Sequence, residues 1–324
     1  MSYTRRWIQE YGSLGRVGMN QISSVKSAIV LLLPSIQRII LKNRNLPILP
    51  MVIIVVVLFL AIFANLISPH DPERSVKDTE TGRPIDNFMP PFWMDGGSMR
   101  TPLGTDFHSR DILSRLIHGS RVSLIVGLVG TLVAGVIGTT LGIAAGYLGS
   151  WWDQVIMRVT DAWLALPSLI FAIFLASVLR PSLWNIVIIL ALVFWSRYTR
   201  QIRAEVLALR ERDYVRLAEV TGASKLRVMI KHILPNTLNT VMVLFSLTIG
   251  VAIIIEASLS FLGIGVPPPK AAWGSMMADG RGPLIAGKWW ISVFPGLCIM
   301  LLVLASNLLG DWLRVRLDPQ LRNR

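Results

Sequence analysis

Several stretches of this sequence are too long and too apolar to belong to a water-soluble protein. Residues 122–148 give 27 consecutive positions without a charged side chain, and residues 237–255 and 291–310 are also free of charge. A helix needs about 20 apolar residues to cross the hydrocarbon core of a bilayer, where it satisfies its own backbone hydrogen bonds. The sequence therefore predicts an all-α integral membrane protein, in agreement with its hydrophobic content of 53%.

The same criterion predicts six transmembrane helices. They cover residues 46–67, 122–148, 162–179, 181–196, 237–255 and 291–310. Pro167 is expected to bend the third span, because proline removes a backbone N–H and crowds the preceding turn. The five spans after the first are expected to form a core over residues 122–313.

The remaining segments are predicted to lie outside the bilayer. They are a cytoplasmic N-terminal segment, an external loop and a cytoplasmic tail, over residues 1–45, 68–121 and 314–324. Residues 28–41 are apolar but number only 14 and include Pro34 and Arg38, so a helix lying in the membrane interface is expected there. The external loop is expected to contain a short amphipathic helix at residues 111–117.

The formal net charge of +13 does not require a nucleic-acid partner. With residues 214–236 placed in the cytoplasm, 21 of the 32 Lys and Arg fall on the cytoplasmic side of the predicted spans. This bias is the positive-inside rule of membrane proteins, so the charge indicates topology, with both termini cytoplasmic. Cys298 is the single cysteine of the sequence, which excludes an internal disulfide.

A polar segment, residues 214–236, separates the fourth span from the fifth and is predicted to form two short helices. Gly222 suits the left-handed conformation that ends a helix, Ser224 suits the N-cap of the next helix, and Pro235 suits the start of the following span. Apolar residues in each short helix recur at spacings that give one apolar side. They are Tyr214, Val215, Leu217, Ala218 and Val220 in the first helix, and Leu226, Met229, Ile230 and Ile233 in the second.

The 214–236 segment resembles the cytoplasmic coupling loop of ABC-importer permeases. The family signature runs Glu-Ala-Ala, a short gap, Gly, a longer gap, and Ile or Leu before Pro. The matching residues are Ala218, Gly222, Ala223, Ser224, Arg227, His232, Ile233, Leu234, Pro235 and Asn236. Arg216 and Leu217 stand where the family usually has Glu and Ala, so Arg216 reverses a charge.

In that family the coupling loop docks into a groove of an ATPase subunit, and the resemblance implies the same contact here. The implied ATPase-coupling residues are Tyr214, Arg216, Ala218, Gly222, Ala223, Ser224, Leu226, Arg227 and Pro235.

Further stretches are similar to the oligopeptide, dipeptide and nickel branch of these permeases. Residues 101–127 contain Pro-Leu-Gly-Thr-Asp, Ser-Arg-Asp and Gly-Ser-Arg-Val-Ser-Leu in the order of that branch, with Ser109 in place of the usual glycine. Residues 256–281 match the same branch, and the C-terminal tail is similar to its cytoplasmic end. The resemblance covers roughly residues 45–321.

This resemblance implies an ATP-driven importer in which the chain is the second, C-type permease subunit. The expected partners are a sister permease, two ATPase subunits and an external substrate-binding protein, all at a prokaryotic cell membrane. ATP and magnesium would be bound by the ATPase subunits, so no cofactor is expected on this chain. The branch handles short peptides, nickel complexes and some oligosaccharides, and short peptides are the expected cargo.

The main alternative is an autonomous secondary transporter or channel, which would predict inverted repeats and ionisable pairs inside the membrane. The sequence shows neither. A membrane-embedded enzyme would need a catalytic constellation, and the four histidines are scattered without metal-ligand spacing. Residues 282–288, GPLIAGK, approach a phosphate-binding loop, but Trp289 follows where Ser or Thr is required. The chain is therefore not expected to be an enzyme.

Glu256 is the one acid close to a predicted span. Together with Ser258 and Ser260 it is a candidate for lining or gating the translocation path. An equal alternative is a hydrogen-bonded or hydrated residue at the outer end of the span. Prolines 267, 268 and 269 predict that residues 256–281 leave the helix and fold over the external mouth.

Small residues recur within the second predicted span. Gly138, Gly142 and Gly146 are spaced by four and give a smooth face on which another helix can pack closely. The partner helix can belong to this subunit or to another one, and the sequence does not choose.

Overall fold

The computed structural model describes residues 47–78 and 80–317, which form helices joined by turns and loops. The interfacial helix predicted over residues 28–41 lies outside the described residues, as does most of the predicted tail. The described part of the chain contains no strand beyond isolated bridges. An all-α fold is therefore confirmed for these residues.

Twelve α-helices are present in the described residues, and they are numbered here in chain order. They are α1 (Ile48–Ile62), α2 (Ala64–Ile67), α3 (Ile112–Leu148), α4 (Ser150–Leu164), α5 (Ser168–Val178), α6 (Leu183–Arg210), α7 (Asp213–Val220), α8 (Lys225–Val228), α9 (Leu234–Phe261), α10 (Trp273–Asp279), α11 (Arg281–Ile285) and α12 (Trp290–Leu317). A π-helical turn, Met229–Ile233, joins α8 to α9 without a break.

Three helical segments of the described chain are long and apolar enough to cross a bilayer. They are Ile112–Leu148, Lys225–Phe261 and Trp290–Leu317. Helices α4 and α5 pass the same test together, but they meet at an angle of 90° and form either a broken span or a re-entrant loop. The chain is therefore a multi-pass membrane protein with three clear spans among the described residues, or four if the bent pair counts as one.

Helix α3 begins ten residues before the predicted start of the second span. Asp111 caps its N-terminus by accepting a hydrogen bond from the backbone N–H of Ser114 at 3.0 Å. The separate amphipathic helix predicted at residues 111–117 is thus wrong, because these residues form the first turns of the spanning helix. Arg115 and Arg121 are accommodated in this helix because both find partners within the subunit, including Asp106 and the carbonyl of Ala61.

The three spaced glycines of α3 pack against α6. A Cβ on Gly138 would collide with the carbonyl oxygen of Trp195, and one on Gly142 would lie 2.8 Å from the carbonyl oxygen of Thr199. On Gly146 it would lie 2.8 Å from the Cβ of Val206. The two backbones therefore approach closely, and this glycine face is used inside the subunit.

The bend predicted at Pro167 is present, but it separates two helices. Helix α4 ends at Leu164 and α5 begins after Pro167, which has no N–H to continue the ladder. Trp151 and Trp152, which fall between the predicted second and third spans, lie exposed on α4.

Helix α6 continues well past the predicted end of the fourth span at residue 196. The extension packs on α3 through the buried Ile202 and Val206, and its arginines bind groups on the neighbouring α4 and α5. Arg200 pairs with Asp161 at 2.5 Å, Arg203 pairs with Asp153, and Arg197 donates to the Ser168 hydroxyl at 3.1 Å.

The end of the bundle opposite the 214–236 segment carries residues 68–111 and 262–289, which we call the cap. Helix α9 continues to Phe261, so the expectation that the helix is lost from residue 256 onward is wrong. The prolines do lie in a non-helical turn, and the chain then becomes helical again in α10 and α11. Helix formation persists to Phe261 because no proline interrupts the ladder before residue 267.

Candidate functional site

The 214–236 segment contains the two predicted helical parts and the predicted turn. Gly222 has φ +84°, and the backbone N–H of Ala223 returns to the carbonyl of Ala218 at 3.0 Å. Ser224 caps α8 by accepting from the N–H of Arg227 at 3.4 Å. The second part does not end before the membrane helix, because the π turn carries it directly into α9. Pro235 lies in the first turn of α9, directly after that π turn.

One side of this segment is buried against the bundle. Val215, Val228 and Ile233 have no exposed surface, and they pack with residues of α3 and α6. The facing residues are Ile143, Tyr147, Ile202 and Val206. Full burial of such a side chain contributes roughly 1.5–3 kcal/mol. The segment is therefore held firmly on two long helices.

The other side is apolar and exposed. Leu217 is 66% exposed and Val220 is 84% exposed, and Leu226 and Ile230 are also largely accessible. The prediction that the apolar residues of the first helix form one apolar side is thus wrong, since Val215 is fully buried whereas Leu217 and Val220 are exposed. The spacing of three and four residues identified which residues of the helix are apolar. In the structure these residues lie on both sides of the helix. An exposed apolar surface of this kind is typical of a protein interface.

Two charged residues of the segment, Arg216 and Glu219, bind partners within the chain. Arg216 forms an ion pair with Glu211, and both side chains are exposed. Tyr147, at the end of α3, donates a hydrogen bond of 2.8 Å to Glu219. Sequence reasoning did not find this last contact, because the two residues are 72 positions apart.

A buried ionic cluster lies at the cap end. Asp106 accepts from Nε of Arg110 at 2.7 Å and pairs with Nε of Arg115 at 3.5 Å. Asp279 of α10 reaches both guanidinium groups at longer distances, 3.7 and 3.8 Å. Burial raises the pKa of the Asp279 carboxyl, and the nearby arginines oppose that rise only in part because their contacts are long.

The cluster joins the 101–127 motif to α10, and its positive and negative charges are equal in number. Two arginines meet two aspartates, so no net charge is left buried among the four groups. Three of them stand in the 101–127 motif, but nothing in the sequence indicates that Asp279 is their fourth member.

Glu256 is fully buried between α3 and α9. Its carboxyl accepts hydrogen bonds from the hydroxyls of Ser123 at 3.3 Å and Ser260 at 2.9 Å. The Ser260 oxygen also accepts from the N–H of Val266 at 3.4 Å. Ser258 does not join this group, since it donates to the carbonyl of Ile254. Of the three predicted path residues, the structure brings together Glu256 and Ser260, and it gives neither an open lining position.

A groove of about 480 Å³ opens between α3, the start of α6 and the cap. Its lining is mainly apolar and includes Ile125, Val129, Trp184 and Lys270. Glu256 is not part of it. Among the described residues no cluster of three or more His, Cys, Asp or Glu could hold a metal ion. Lys288, the lysine of the GPLIAGK stretch, lies 4.0 Å from the ring centre of Phe88.

The spans, the packed 214–236 segment and its exposed apolar side define a multi-pass membrane protein with a surface suited to contact with another protein. The profile of the family "binding-protein-dependent transport system inner membrane component" matches residues 138–323. The chain belongs to this family, the inner-membrane permeases of ABC importers.

Two relatives illustrate the similarity. The chain is 42% identical over 267 residues to the di/tripeptide transport system permease protein DppC of Pseudomonas aeruginosa, covering 82% of this chain and 86% of the relative. It is 44% identical over 281 residues to the dipeptide transport system permease protein DppC of Escherichia coli K12, covering 87% and 91%. The resemblance to the peptide branch is thereby confirmed.

Proposed function

We infer that this chain is one of two permease subunits of an ATP-driven importer of short peptides. The exposed apolar side of the 214–236 segment carries the proposal, because a rigid surface of this kind suits docking of another subunit. The peptide cargo is suggested by the relatives, whose names specify dipeptides and di/tripeptides.

The 214–236 segment would be the coupling loop that docks on an ATPase. Leu217, Val220 and Leu226 would enter an apolar groove, and Arg227 would lie at the polar rim. Tyr214 and Ser224 would join this surface, while Ala218, Gly222, Ala223 and Pro235 would hold its shape. Arg216 would act at the rim, where its pair with Glu211 limits its contribution.

Closure of the ATPase dimer on ATP would then displace the loop and the helices packed on it. Val215, Val228 and Ile233 tie the loop to α3 and α6, and the π turn ties it to α9. A packed unit moves as a body, so displacement of the loop would tilt these helices and alternate access between the two permeases. ATP and magnesium would be bound by the ATPases.

Six spans can be assigned within this proposal. They are α1, α3, the bent pair α4 and α5, α6, α9 and α12. The loop and both termini would be cytoplasmic, and the cap would face the substrate-binding protein. The permease core would run from α3 to α12, with the boundary moved from residue 122 to residue 112.

The experiment is co-purification of the ATPase with the permease pair from membranes. Val220→Asp should release the ATPase, because it places a charge in the docked apolar surface. Met99→Asp is the matched control, since Met99 is an exposed apolar residue of the cap, at the other end of the bundle. Retention of the ATPase and of dipeptide uptake by Val220→Asp would contradict the proposed docking surface.

A further inference from the structure

The last turn of α3 is bound to the first helix of the 214–236 segment by one directional contact. The hydroxyl of Tyr147 donates to Oε1 of Glu219 at 2.8 Å. Tyr147 itself is 7% exposed and is packed among the apolar residues that anchor the segment. The hydroxyl is the one polar atom that this side chain presents at the contact.

This contact matters because α3 has no covalent link to the segment. Helix α6 leads into α7 through Glu211 and Arg212, and α9 leaves the segment through the π turn. Displacement of the segment therefore reaches α6 and α9 through the backbone. Helix α3 can receive it only through side-chain packing and through the bond from Tyr147 to Glu219. Apolar packing holds the two surfaces together without a preferred direction, whereas a hydrogen bond also sets one position along and around the helix.

Helix α3 carries any such displacement to the opposite end of the bundle. It runs unbroken for 37 residues from Ile112 to Leu148. Near its start, Arg115 pairs with Asp106 and approaches Asp279, and the carbonyl of Leu116 accepts from the indole of Trp273 at 2.9 Å. One helix thus joins the 214–236 segment to the cap.

We propose that Tyr147 and Glu219 are positioning residues of the coupling step, and that their hydrogen bond passes movement of the segment to α3. The inference rests on the proposed role of the segment as the coupling loop. It adds one directional contact to the apolar packing that already ties α3 to the segment, and it assigns the cap as the place where the movement of α3 arrives.

The test measures peptide transported per ATP hydrolysed in vesicles that contain the complete complex. Tyr147→Phe removes only the donor, and Glu219→Ala removes only the acceptor. Both should retain the ATPase and lower the transport-to-hydrolysis ratio several-fold. Glu219→Gln keeps an acceptor oxygen and should retain most of the unmodified transport-to-hydrolysis ratio. Combining Tyr147→Phe with Glu219→Ala should lower it no further than either single change, because both act on one bond.

The control is Tyr198→Phe, which removes the hydroxyl of a second buried tyrosine. Tyr198 lies on α6 against Gly135 and Gly138, and its hydroxyl is near Thr248 but makes no well-formed hydrogen bond in the described residues. Its ratio should match the unmodified complex. An equal fall in Tyr198→Phe and Tyr147→Phe would show a general packing effect and overturn the inference.

Two other outcomes would also overturn it. One is an unchanged ratio in both Tyr147→Phe and Glu219→Ala. The other is loss of the ATPase from these variants, which would assign the bond to docking instead of transmission. Val220→Asp separates the inference from the function on which it rests: an unaffected Val220→Asp complex contradicts the coupling loop itself, whatever the Tyr147 variants show.

Discussion

Trp273 of α10 lies directly against Gly119 of α3. A Cβ on Gly119 would come within 2.6 Å of the indole ring, and the indole nitrogen donates to the carbonyl of Leu116 one turn earlier. The cap is therefore attached to the spanning helix through a contact that needs glycine at position 119, because a side chain there would overlap the indole ring. Together with Arg115, this contact fixes α10 on α3.

Gly119→Val should destabilise the protein, because the added side chain displaces Trp273 and breaks its hydrogen bond. Overpacking of a filled interior costs about 1–3 kcal/mol. The measurement is the thermal unfolding midpoint of the purified permease complex in detergent. Gly282→Ala is the control, since a Cβ there meets nothing within 4 Å. Equal midpoints for Gly119→Val and Gly282→Ala would contradict the close contact.

Asp106→Asn should be strongly destabilising, because it leaves two buried guanidinium groups without their nearest acid. Asp106 is 3% exposed and accepts from the side chain and the backbone N–H of Arg110. Removal of one partner of a buried ion pair costs roughly 3–5 kcal/mol. The thermal midpoint of the complex checks this, with Asp95→Asn, in the cap, as a variant outside the cluster.

Asp279→Asn should behave differently, since Asp279 is partly exposed and its arginine contacts are long. Burial raises the pKa of Asp279 in the folded protein. Its protonated form is thus favoured by folding, and its contribution to stability is full below the ordinary aspartate pKa of about 4 and is lost as pH rises through the raised value.

Replacement by asparagine removes this titration. The difference in thermal midpoint between the Asp279→Asn complex and the unmodified one should therefore shift in favour of Asn as pH rises from about 4 to neutral. A shift in the opposite direction would mean that the arginines outweigh burial at this carboxyl.

Glu256→Gln should preserve assembly and transport, because an amide can still bind Ser123 and Ser260. Glu256→Ala leaves both hydroxyls without their acceptor in a buried site, which costs about 1–3 kcal/mol. Thermal midpoints and dipeptide uptake measure the two effects. Loss of uptake by Glu256→Gln in a stable complex would instead give the carboxyl a role in the path.

Features set by nearby residues were predictable from the sequence. The turn at Gly222, the cap at Ser224 and the bend at Pro167 each follow from the chemistry of one residue and its neighbours. The three clear spans followed from their length and lack of charge.

Features set by distant partners were not predictable. Arg115 can lie in the first turns of the spanning helix because Asp106 and Asp279 are beside it, and Asp279 is far away in sequence. The side of α7 that is buried depends on the positions of α3 and α6, and helical spacing alone does not reveal those positions. The same limit hid the bond between Tyr147 and Glu219.

The last prediction concerns Gly222. Its φ of +84° lies in the region that favours glycine. The space around it is open, since an added Cβ would have no atom within 4 Å. A substitution there is thus opposed by backbone conformation and not by collision. A residue with a Cβ in the left-handed region costs roughly 1–2 kcal/mol, and a β-branched residue suffers most.

Gly222→Val should therefore distort the turn between α7 and α8 while leaving membrane insertion and pairing with the sister permease unchanged. The exposed surface of Leu217, Val220 and Leu226 would lose its shape, so ATP hydrolysis should be uncoupled from transport or the ATPase released. Gly222→Asn is the matched variant, because asparagine tolerates positive φ, and it should retain most of the coupling. Transport and ATPase activity measured side by side in vesicles decide the matter. Normal coupling in Gly222→Val would show that this turn does not shape the docking surface.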